Sequence, residues 1–432
     1  MPYVMHGWDH LRSEDRDLIL KGLVEGRALG GPFHAEIDPI DVCNADCFFC
    51  CSQDLRAGDV LPWERLSVLT DELIAHGLRS VRLAGGGEPL IYPALGQLCE
   101  KLAEASVVID NLNTNGIRMN EKTLEHLLQT RVVHWYVSLN YTSPEQYARF
   151  MGVPANRFEW ITTNIRLADE RLRALGRRTE SLLHTQFMVH RSTIDDLPRM
   201  AELALDLPVD TVVIRALGAL QPEESLRPED EQRLREMLPE IARTIGAHKW
   251  LILDLEIYGR SLQAFCEDLM REARASRTAP YTDGLCYPDP QSVEIQGVEF
   301  CYIGWHSMTI QGNGDAHACC MLMHESAVPA YGNVMRQGIQ EVWHGPMYQR
   351  HRQEMRTAML MEELTPGQRR SFLCTTEGCW KRDACPLSNQ MADASFYREA
   401  HQHLDALRRR PMMRMARWGN GLARRAGLVG RA

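Results

Sequence analysis

Residues 34–50 of this 432-residue chain read HAEIDPIDVCNADCFFC: a short β-rich run and then three cysteines spaced C-x3-C-x2-C. The run favours a first β-strand, which places Cys43, Cys47 and Cys50 in the loop after it. A 4Fe–4S cluster usually takes four cysteines, so three thiolates would leave one iron open. An open position distinguishes catalytic from structural metal sites. Cys51 adjoins the third cysteine, and neighbouring side chains in a tight loop rarely point at one cluster. We therefore expect Cys51 to lie outside the site.

Short β-rich runs alternate with helical runs beyond this loop. The strand candidates are His34–Ile40, Ser80–Ala84, Val107–Asn113, Val133–Leu139, His184–Val189 and Thr211–Ala216. The helical patterns are 10–28, Trp63–His76, Leu95–Ala105, Glu121–Thr130, Trp160–Leu175 and Leu197–Leu205. Such alternation predicts a parallel sheet with right-handed crossovers. Six units are too few for a closed eight-stranded barrel, so we predict an α/β fold built on a partial (β/α)6 barrel. Ligands should bind at the carboxyl ends of its strands.

The composition is that of an ordinary globular protein, and the net charge of −9 gives no case for nucleic-acid binding. The first residues lack the basic start and apolar core of a signal peptide, and no apolar run is long enough to cross a membrane. We therefore expect a cytoplasmic protein. Thirteen cysteines in such a chain indicate metal or redox chemistry rather than disulfides.

The chain divides into five predicted segments. They are an N-terminal helical segment (1–33), the partial barrel (34–221), a charged helical connector (222–285), a cysteine-bearing domain (286–390) and a basic helical tail (391–432). The tail interleaves arginines with apolar residues, which allows contact with an anionic membrane surface, but a solvated or loosely docked helix is the simpler interpretation.

A glycine run, Gly85-Gly86-Gly87-Glu88-Pro89, follows the second predicted strand. Consecutive glycines permit positive φ angles and a close approach to the backbone. Exposed amide and carbonyl groups there suit a zwitterionic ligand, and Glu88 would attract its ammonium group. A plain strand-to-helix turn is the alternative, because a glycine run alone is a weak signal. This glycine run directly follows the strand after the cysteine loop, and that position strengthens the case for a ligand-binding element.

These two motifs together resemble the radical S-adenosylmethionine superfamily. The resemblance implies that Cys43, Cys47 and Cys50 hold a 4Fe–4S cluster whose open iron chelates S-adenosylmethionine. Reductive cleavage then yields a deoxyadenosyl radical that removes a hydrogen atom from a substrate. It also implies an external reductant such as flavodoxin or ferredoxin. A zinc knuckle or an electron-transfer cluster is the alternative for the triplet, but no second C-x2-C or H-x3-H pair follows nearby.

The resemblance also suggests contacts to S-adenosylmethionine. Phe49 matches the family's aromatic residue beside the adenine, and the run from Gly85 to Glu88 matches the element that binds the amino group. Ser138 and Asn140, at the end of the fourth strand, match the region that touches the ribose. Asn115 follows the third strand and is expected to face the same site. Ser and Asn are also ordinary turn residues after strands.

A late group of cysteines resembles the SPASM/twitch extension, which carries auxiliary iron–sulfur clusters in part of the superfamily. Cys301 and Cys319 fit its C-x(9–15)-G-x4-C hallmark, and Cys374, Cys379 and Cys385 follow with C-x4-C-x5-C spacing. The complete SPASM pattern needs further cysteines that this chain lacks. We therefore predict one auxiliary 4Fe–4S cluster, held by the first two cysteines and two of the last three. A structural zinc ribbon is the alternative.

The resemblance leaves the substrate open. The leading hypothesis is an enzyme that oxidises or rearranges a small polar metabolite such as a sugar, an aminocyclitol or a nucleotide sugar. The alternative is a maturase that modifies a ribosomally made peptide, as SPASM relatives often do. An activator of a glycyl-radical enzyme fits the cysteine pattern poorly, and a plain electron carrier would not need the glycine run. The sequence identifies no catalytic base.

Overall fold

A computed structural model of the chain describes residues 7–217, 221–255, 260–275, 302–320, 322–324 and 328–360, with residues 399, 402, 403 and 406. The strands within these ranges are β1 (His34–Ile37), β2 (Ser80–Leu83), β3 (Val108–Thr114), β4 (Val132–Asn140), β5 (Leu182–Val189), β6 (Thr211–Ala216), β7 (Trp250–Asp254), β8 (Ser307–Ile310), β9 (Asp315–His317) and β10 (Gly332–Asn333). They form one sheet in the order β10-β9-β8-β1-β2-β3-β4-β5-β6-β7. All pairs from β8 to β7 are parallel, whereas the two pairs that join β8, β9 and β10 are antiparallel.

The described residues also form α-helices, most of which lie between parallel strands. They are α1 (Ser13–Glu25), α2 (Trp63–Ala75), α3 (Leu95–Glu104), α4 (Glu121–Leu127), α5 (Pro144–Phe150), α6 (Arg157–Ala174), α7 (Leu197–Asp206), α8 (Pro228–Gly246), α9 (Arg260–Ala275), α10 (Ile339–Trp343) and α11 (Pro346–Leu360). In α2 the buried residues Leu66, Leu69 and Leu73 recur at helical spacing and form the face toward the core.

The six predicted strands are all present. The largest difference is at the end of β1, predicted at Ile40 and observed at Ile37, because Pro39 lacks the amide that a longer ladder would need. The segment 222–285 differs from the predicted helical connector. It holds helices α8 and α9 with β7 between them, and β7 pairs in parallel with β6. The parallel sheet therefore runs past six strands and remains an open, partial barrel.

The strands after residue 301 extend the sheet on its other side. Strand β8 pairs in parallel with β1 from His34↔Ser307 to Ile37↔Ile310. Helix α2 secures this addition: the Arg65 guanidinium donates to the carbonyls of Val334 and Gln337, and the Glu72 carboxylate accepts the Ile339 amide over 2.6 Å. The C-terminal strands thus lie directly beside the strand that leads into the cysteine loop.

No helix among the described residues combines the length and the apolar character needed to cross a membrane. The predicted basic tail lies almost wholly outside the described residues, and so does the predicted membrane contact.

Candidate active site at the carboxyl ends of the strands

The cysteine triplet lies directly after β1, as its position in the sequence predicts. Cys43, Cys47 and Cys50 are half-buried, whereas Cys51 is exposed. Burial is the main reason that the pKa of each of these three thiols is raised. The pKa of Cys47 rises to about 12. The charges of Cys50 and Cys43 raise the pKa of Cys47 further, so these groups lie close enough to repel one another. A positively charged group among the three would relieve that repulsion and favour the thiolates.

Arg56 ties the cysteine loop to the glycine run, a contact that sequence reasoning did not find. Its Nη2 lies 3.0 Å from Cys50 Sγ, and its Nε donates to the Gly86 carbonyl over 2.7 Å. A guanidinium donates several hydrogen bonds in fixed directions, which suits it to bridge two loops. Arg56 follows the triplet by only a few residues, but no motif marks it.

The three thiols do not surround a single metal ion. Within the described residues, no three His, Cys, Asp or Glu side chains converge as ligands of one ion. A cluster of four irons holds its thiolates farther apart than one ion does. Three half-buried thiols suit such a cluster as ligands. The N–H···S contact from Arg56 to Cys50 fits as well, because proteins tune these centres partly through hydrogen bonds to sulfur.

The glycine run packs tightly against the segment before Cys43. Gly85 has a φ of +151°. A Cβ on Gly87 would lie 2.1 Å from the Val42 carbonyl oxygen, so no side chain fits there. The Glu88 amide donates to that same carbonyl over 2.9 Å. The glycines therefore serve first to bring the end of β2 against the cysteine loop, a role in addition to the predicted approach of a ligand.

Glu88 is 2% exposed and well supplied with donors. Its carboxylate accepts hydrogen bonds from the Thr114 hydroxyl over 2.7 Å, the Asn115 amide over 2.7 Å and the Leu90 amide over 3.0 Å. Burial raises its pKa, and these three donors lower it. Glu88 thus joins the ends of β2 and β3, and the predicted contact to an ammonium group would use a carboxylate that is already held in place.

The other predicted contact residues lie around the same loop. Asn115 Nδ2 donates to Asn44 Oδ1 over 2.7 Å and lies 3.8 Å from Cys43 Sγ. Asn140 has a φ of +63°, and its Nδ2 contacts Met151 Sδ, which also lies 3.5 Å from Cys47 Sγ. Asn and Asp tolerate this left-handed conformation better than most residues. The chain therefore brings the ends of β3 and β4 to the triplet.

Phe49 and Ser138 complete the predicted set. The Phe49 ring is half-buried, 5.5 Å from the Phe48 ring and 6.1 Å from the Tyr141 ring in edge-on contacts. Ser138 lies half-buried on β4, two residues before Asn140. Both residues therefore lie near the residues predicted with them, Phe49 in the cysteine loop and Ser138 on β4.

The predicted auxiliary site is described only in part. Cys319 and Cys320 are half-buried after β9, whereas Cys301, Cys374, Cys379 and Cys385 lie outside the described residues. Cys320 interacts with Glu36 of β1, whose pKa it raises. The turn after β9 therefore lies close to the first strand.

A buried charged cluster at β1 and β2 was not predicted. It consists of Glu36, Asp38 and Arg82, each less than 5% exposed, and Arg82 Nη1 lies 3.4 Å from Glu36 Oε2. Burial raises the pKa of both carboxyls, and the pKa of Asp38 reaches about 7. The positive charge of Arg82 opposes this rise. Alternation along β1 puts Glu36 and Asp38 on the face opposite Ala35 and Ile37. The only sequence signal was a pair of acidic residues alternating with apolar ones in a β-rich run.

Comparison with known proteins gives two family matches. A model described as "Radical SAM superfamily" matches residues 37–206, and a SPASM model described as "Iron-sulfur cluster-binding domain" matches residues 301–365. The first range contains the triplet and every predicted S-adenosylmethionine contact. The second contains Cys301 and Cys319 and ends before the last three cysteines.

Individual relatives match shorter stretches. The chain is 31% identical over 134 residues to GTP 3',8-cyclase 2 of Pseudomonas aeruginosa, which covers 30% of this chain and 39% of that protein. It is 25% identical over 185 residues to PqqA peptide cyclase of Granulibacter bethesdensis, which covers 42% of this chain and 43% of that protein. The chain thus spans less than half the length of either relative.

A solved structure shares the fold over more of the chain. Streptococcus suis SuiB bound to the precursor peptide SuiA aligns with a TM-score of 0.51 and 17% identity, covering 76% of this chain and 69% of that one. At this identity the likeness concerns the fold alone. It agrees with a partial barrel joined to a C-terminal extension.

Proposed function

We propose that this chain cleaves S-adenosylmethionine reductively and removes a hydrogen atom from a peptide substrate. The chain belongs to the radical S-adenosylmethionine superfamily and carries a SPASM/twitch-type iron–sulfur domain. The observation that carries the first part is the junction of the cysteine loop with the glycine run through Arg56 and the Val42 carbonyl. The three thiols and the glycine run therefore lie side by side, which supports the proposal that both contact S-adenosylmethionine.

The residues of the site have separate roles in this proposal. Cys43, Cys47 and Cys50 would hold a 4Fe–4S cluster, which supplies the electron for cleavage when it is bound. Arg56 orients Cys50, and Glu88 fixes the end of β3 beside the loop. Positioning matters because the abstracted hydrogen must lie near the reacting carbon.

A peptide is the substrate class we favour over a small metabolite. The similarity to PqqA peptide cyclase supports this choice, as does the SPASM match, since SPASM relatives often modify peptides. The similarity to GTP 3',8-cyclase 2 makes a nucleotide the second candidate. The comparisons named above give no support to a sugar or an aminocyclitol.

The experiment for the cleavage step is anaerobic reconstitution followed by measurement of 5'-deoxyadenosine with dithionite as reductant. Cys43→Ala, Cys47→Ala and Cys50→Ala should each abolish the product. Cys51→Ala, which changes the exposed neighbour, is the matched control and should retain it. Undiminished product in any of the three triplet variants would refute the assignment.

The experiment for the substrate is co-expression with short open reading frames encoded beside the gene. A mass change in the encoded peptide that depends on Cys47 supports a peptide maturase. A product formed from GTP by the reconstituted enzyme would instead support the nucleotide candidate.

A further inference from the structure

Asp38 is a buried carboxylate without donors. It is 2% exposed, and neither of its oxygens has a hydrogen-bond partner. Among the carboxylates of the described residues, Asp38 is the only one in which both oxygens are buried and lack a hydrogen-bond partner. The Gly86 amide lies close enough to lower the pKa of Asp38, although it does not meet hydrogen-bond geometry with either oxygen. Buried polar groups are nearly always satisfied, so an exception calls for a partner that arrives with a ligand.

The position of Asp38 is fixed by the backbone around it. Its amide donates to the Ile310 carbonyl over 2.8 Å, which ties the end of β1 to β8. A Cβ on Gly85 would lie 3.3 Å from its Oδ1, so the carboxylate touches the start of the glycine run. Cys320 raises the pKa of Asp38 by its charge and so lies nearby on the C-terminal side. Asp38 therefore lies where the two iron–sulfur domains meet.

The charges around Asp38 favour a donor as its partner. Arg82 pairs with Glu36 at 3.4 Å and leaves Asp38 without a contact of its own. Two carboxyls thus share one guanidinium within this buried cluster. An ammonium, guanidinium, amide or hydroxyl group of a ligand would satisfy Asp38, whereas a carboxylate or phosphate would be repelled.

We propose that Asp38 is a substrate-contacting residue that accepts a hydrogen bond from a side-chain N–H or O–H group of the substrate residue that loses its hydrogen atom. The inference rests on the proposed function and adds the chemistry that the substrate must present. Within a peptide, it selects side chains such as lysine, arginine or serine over purely aliphatic ones.

The test uses the reconstituted enzyme with truncated peptide substrates. The probes are N-acetyl amides of fully deuterated lysine, serine and leucine, and deuterium in 5'-deoxyadenosine reports hydrogen abstraction. We expect transfer from lysine or serine to exceed that from leucine in the wild type. Asp38→Asn should lower that preference at least tenfold.

Three results would overturn the inference: the same preference in Asp38→Asn, no transfer from any probe to the wild type, or weaker binding of S-adenosylmethionine by Asp38→Asn. The last would assign Asp38 to the cofactor. Absence of 5'-deoxyadenosine in the wild type would instead refute the proposed function itself, so the two failures are distinguishable.

Thermal unfolding gives a readout that does not depend on activity. Asp15 is the matched control, because it is equally buried but is paired with Arg79 over 2.7 Å. At pH 8, Asp38→Asn should raise the melting temperature, since it removes a charge without a partner, whereas Asp15→Asn should lower it. A lower melting temperature in Asp38→Asn would indicate a structural role and contradict the inference.

Discussion

Arg56 and Cys50 form the contact that joins the two halves of the candidate site. Arg56 Nη2 lies 3.0 Å from Cys50 Sγ, while its Nε donates to the Gly86 carbonyl over 2.7 Å. One side chain therefore sets the distance between a predicted cluster ligand and the predicted S-adenosylmethionine element. Partners of metal ligands commonly affect affinity or activity by one to two orders of magnitude.

We predict that Arg56→Ala lowers 5'-deoxyadenosine formation by about tenfold or more, because Cys50 and Gly86 lose their common donor. Arg56→Lys should restore little, since an ammonium group cannot donate in two fixed directions as a guanidinium does. The measurement is the rate of product formation, with iron content determined on the same samples. Arg27→Ala, at a largely exposed arginine, is the control and should match the wild type. Equal rates in Arg56→Ala and Arg27→Ala would show that the contact has no role.

The packing of Gly87 gives a prediction about folding. Gly87→Ala would place a Cβ 2.1 Å from the Val42 oxygen and 2.7 Å from the Ile40 oxygen, both of them backbone atoms that cannot rotate away. We expect a loss of about 3 kcal/mol in the free energy of unfolding, at the upper end for overpacking. The measurement is urea denaturation of the protein without its clusters.

Gly86→Ala is the matched control for this prediction. Its Cβ would meet Asp41 at 3.5 Å, an ordinary contact. It should therefore unfold within about 1 kcal/mol of the wild type. Similar stability of the two glycine variants would contradict the proposed role of Gly87 in packing.

The strands of the barrel could be predicted because each carries a β-rich run bounded by turn residues. Strand β7 could not, because Trp250–Asp254 is a short apolar run between two long helical patterns, and periodicity does not distinguish a strand from a helix there. Asn115 and Asn140 were predictable near the triplet, since the carboxyl ends of parallel strands meet at one edge.

The roles of Asp38 and Arg56 could not be predicted. Asp38 matters because it lies beside Gly85 and Cys320, residues far from it in the sequence. Arg56 matters because of a contact to Gly86, which lies thirty residues away. Such contacts follow from how β1, β2 and β9 are brought together. No local pattern in the sequence encodes them.

Iron content tests the predicted number of auxiliary clusters. A variant with Cys43, Cys47 and Cys50 all changed to Ala should retain about four irons, which is the content of one 4Fe–4S cluster. Adding Cys319→Ala should remove them, whereas adding Cys320→Ala should not, because Cys319 alone fits the C-x(9–15)-G-x4-C spacing. About eight irons in the triple variant would show two auxiliary clusters. Tightly bound zinc in their place would favour the structural ribbon.

His351 links stability to pH. Its ring is buried, its Nδ1 lies 3.0 Å from the Tyr331 hydroxyl, and burial is the main cause that lowers its pKa to about 3. An unfolded histidine titrates near pH 6.5, so the unfolded chain binds an extra proton between about pH 6.5 and pH 3. Stability should therefore fall as the pH falls through this range, by up to about 1.4 kcal/mol per pH unit from this residue.

His351→Gln should remove that contribution, whatever it does to stability at pH 7. The measurement is the urea midpoint of wild type and variant at several pH values between 4 and 7, over which the midpoint of the wild type should fall more steeply toward low pH than that of the variant. His76→Gln changes an exposed histidine and should run parallel to the wild type. Parallel curves for His351→Gln as well would show that His351 takes up its proton in the folded protein, and the burial of its ring would then have to be less complete than its contacts indicate.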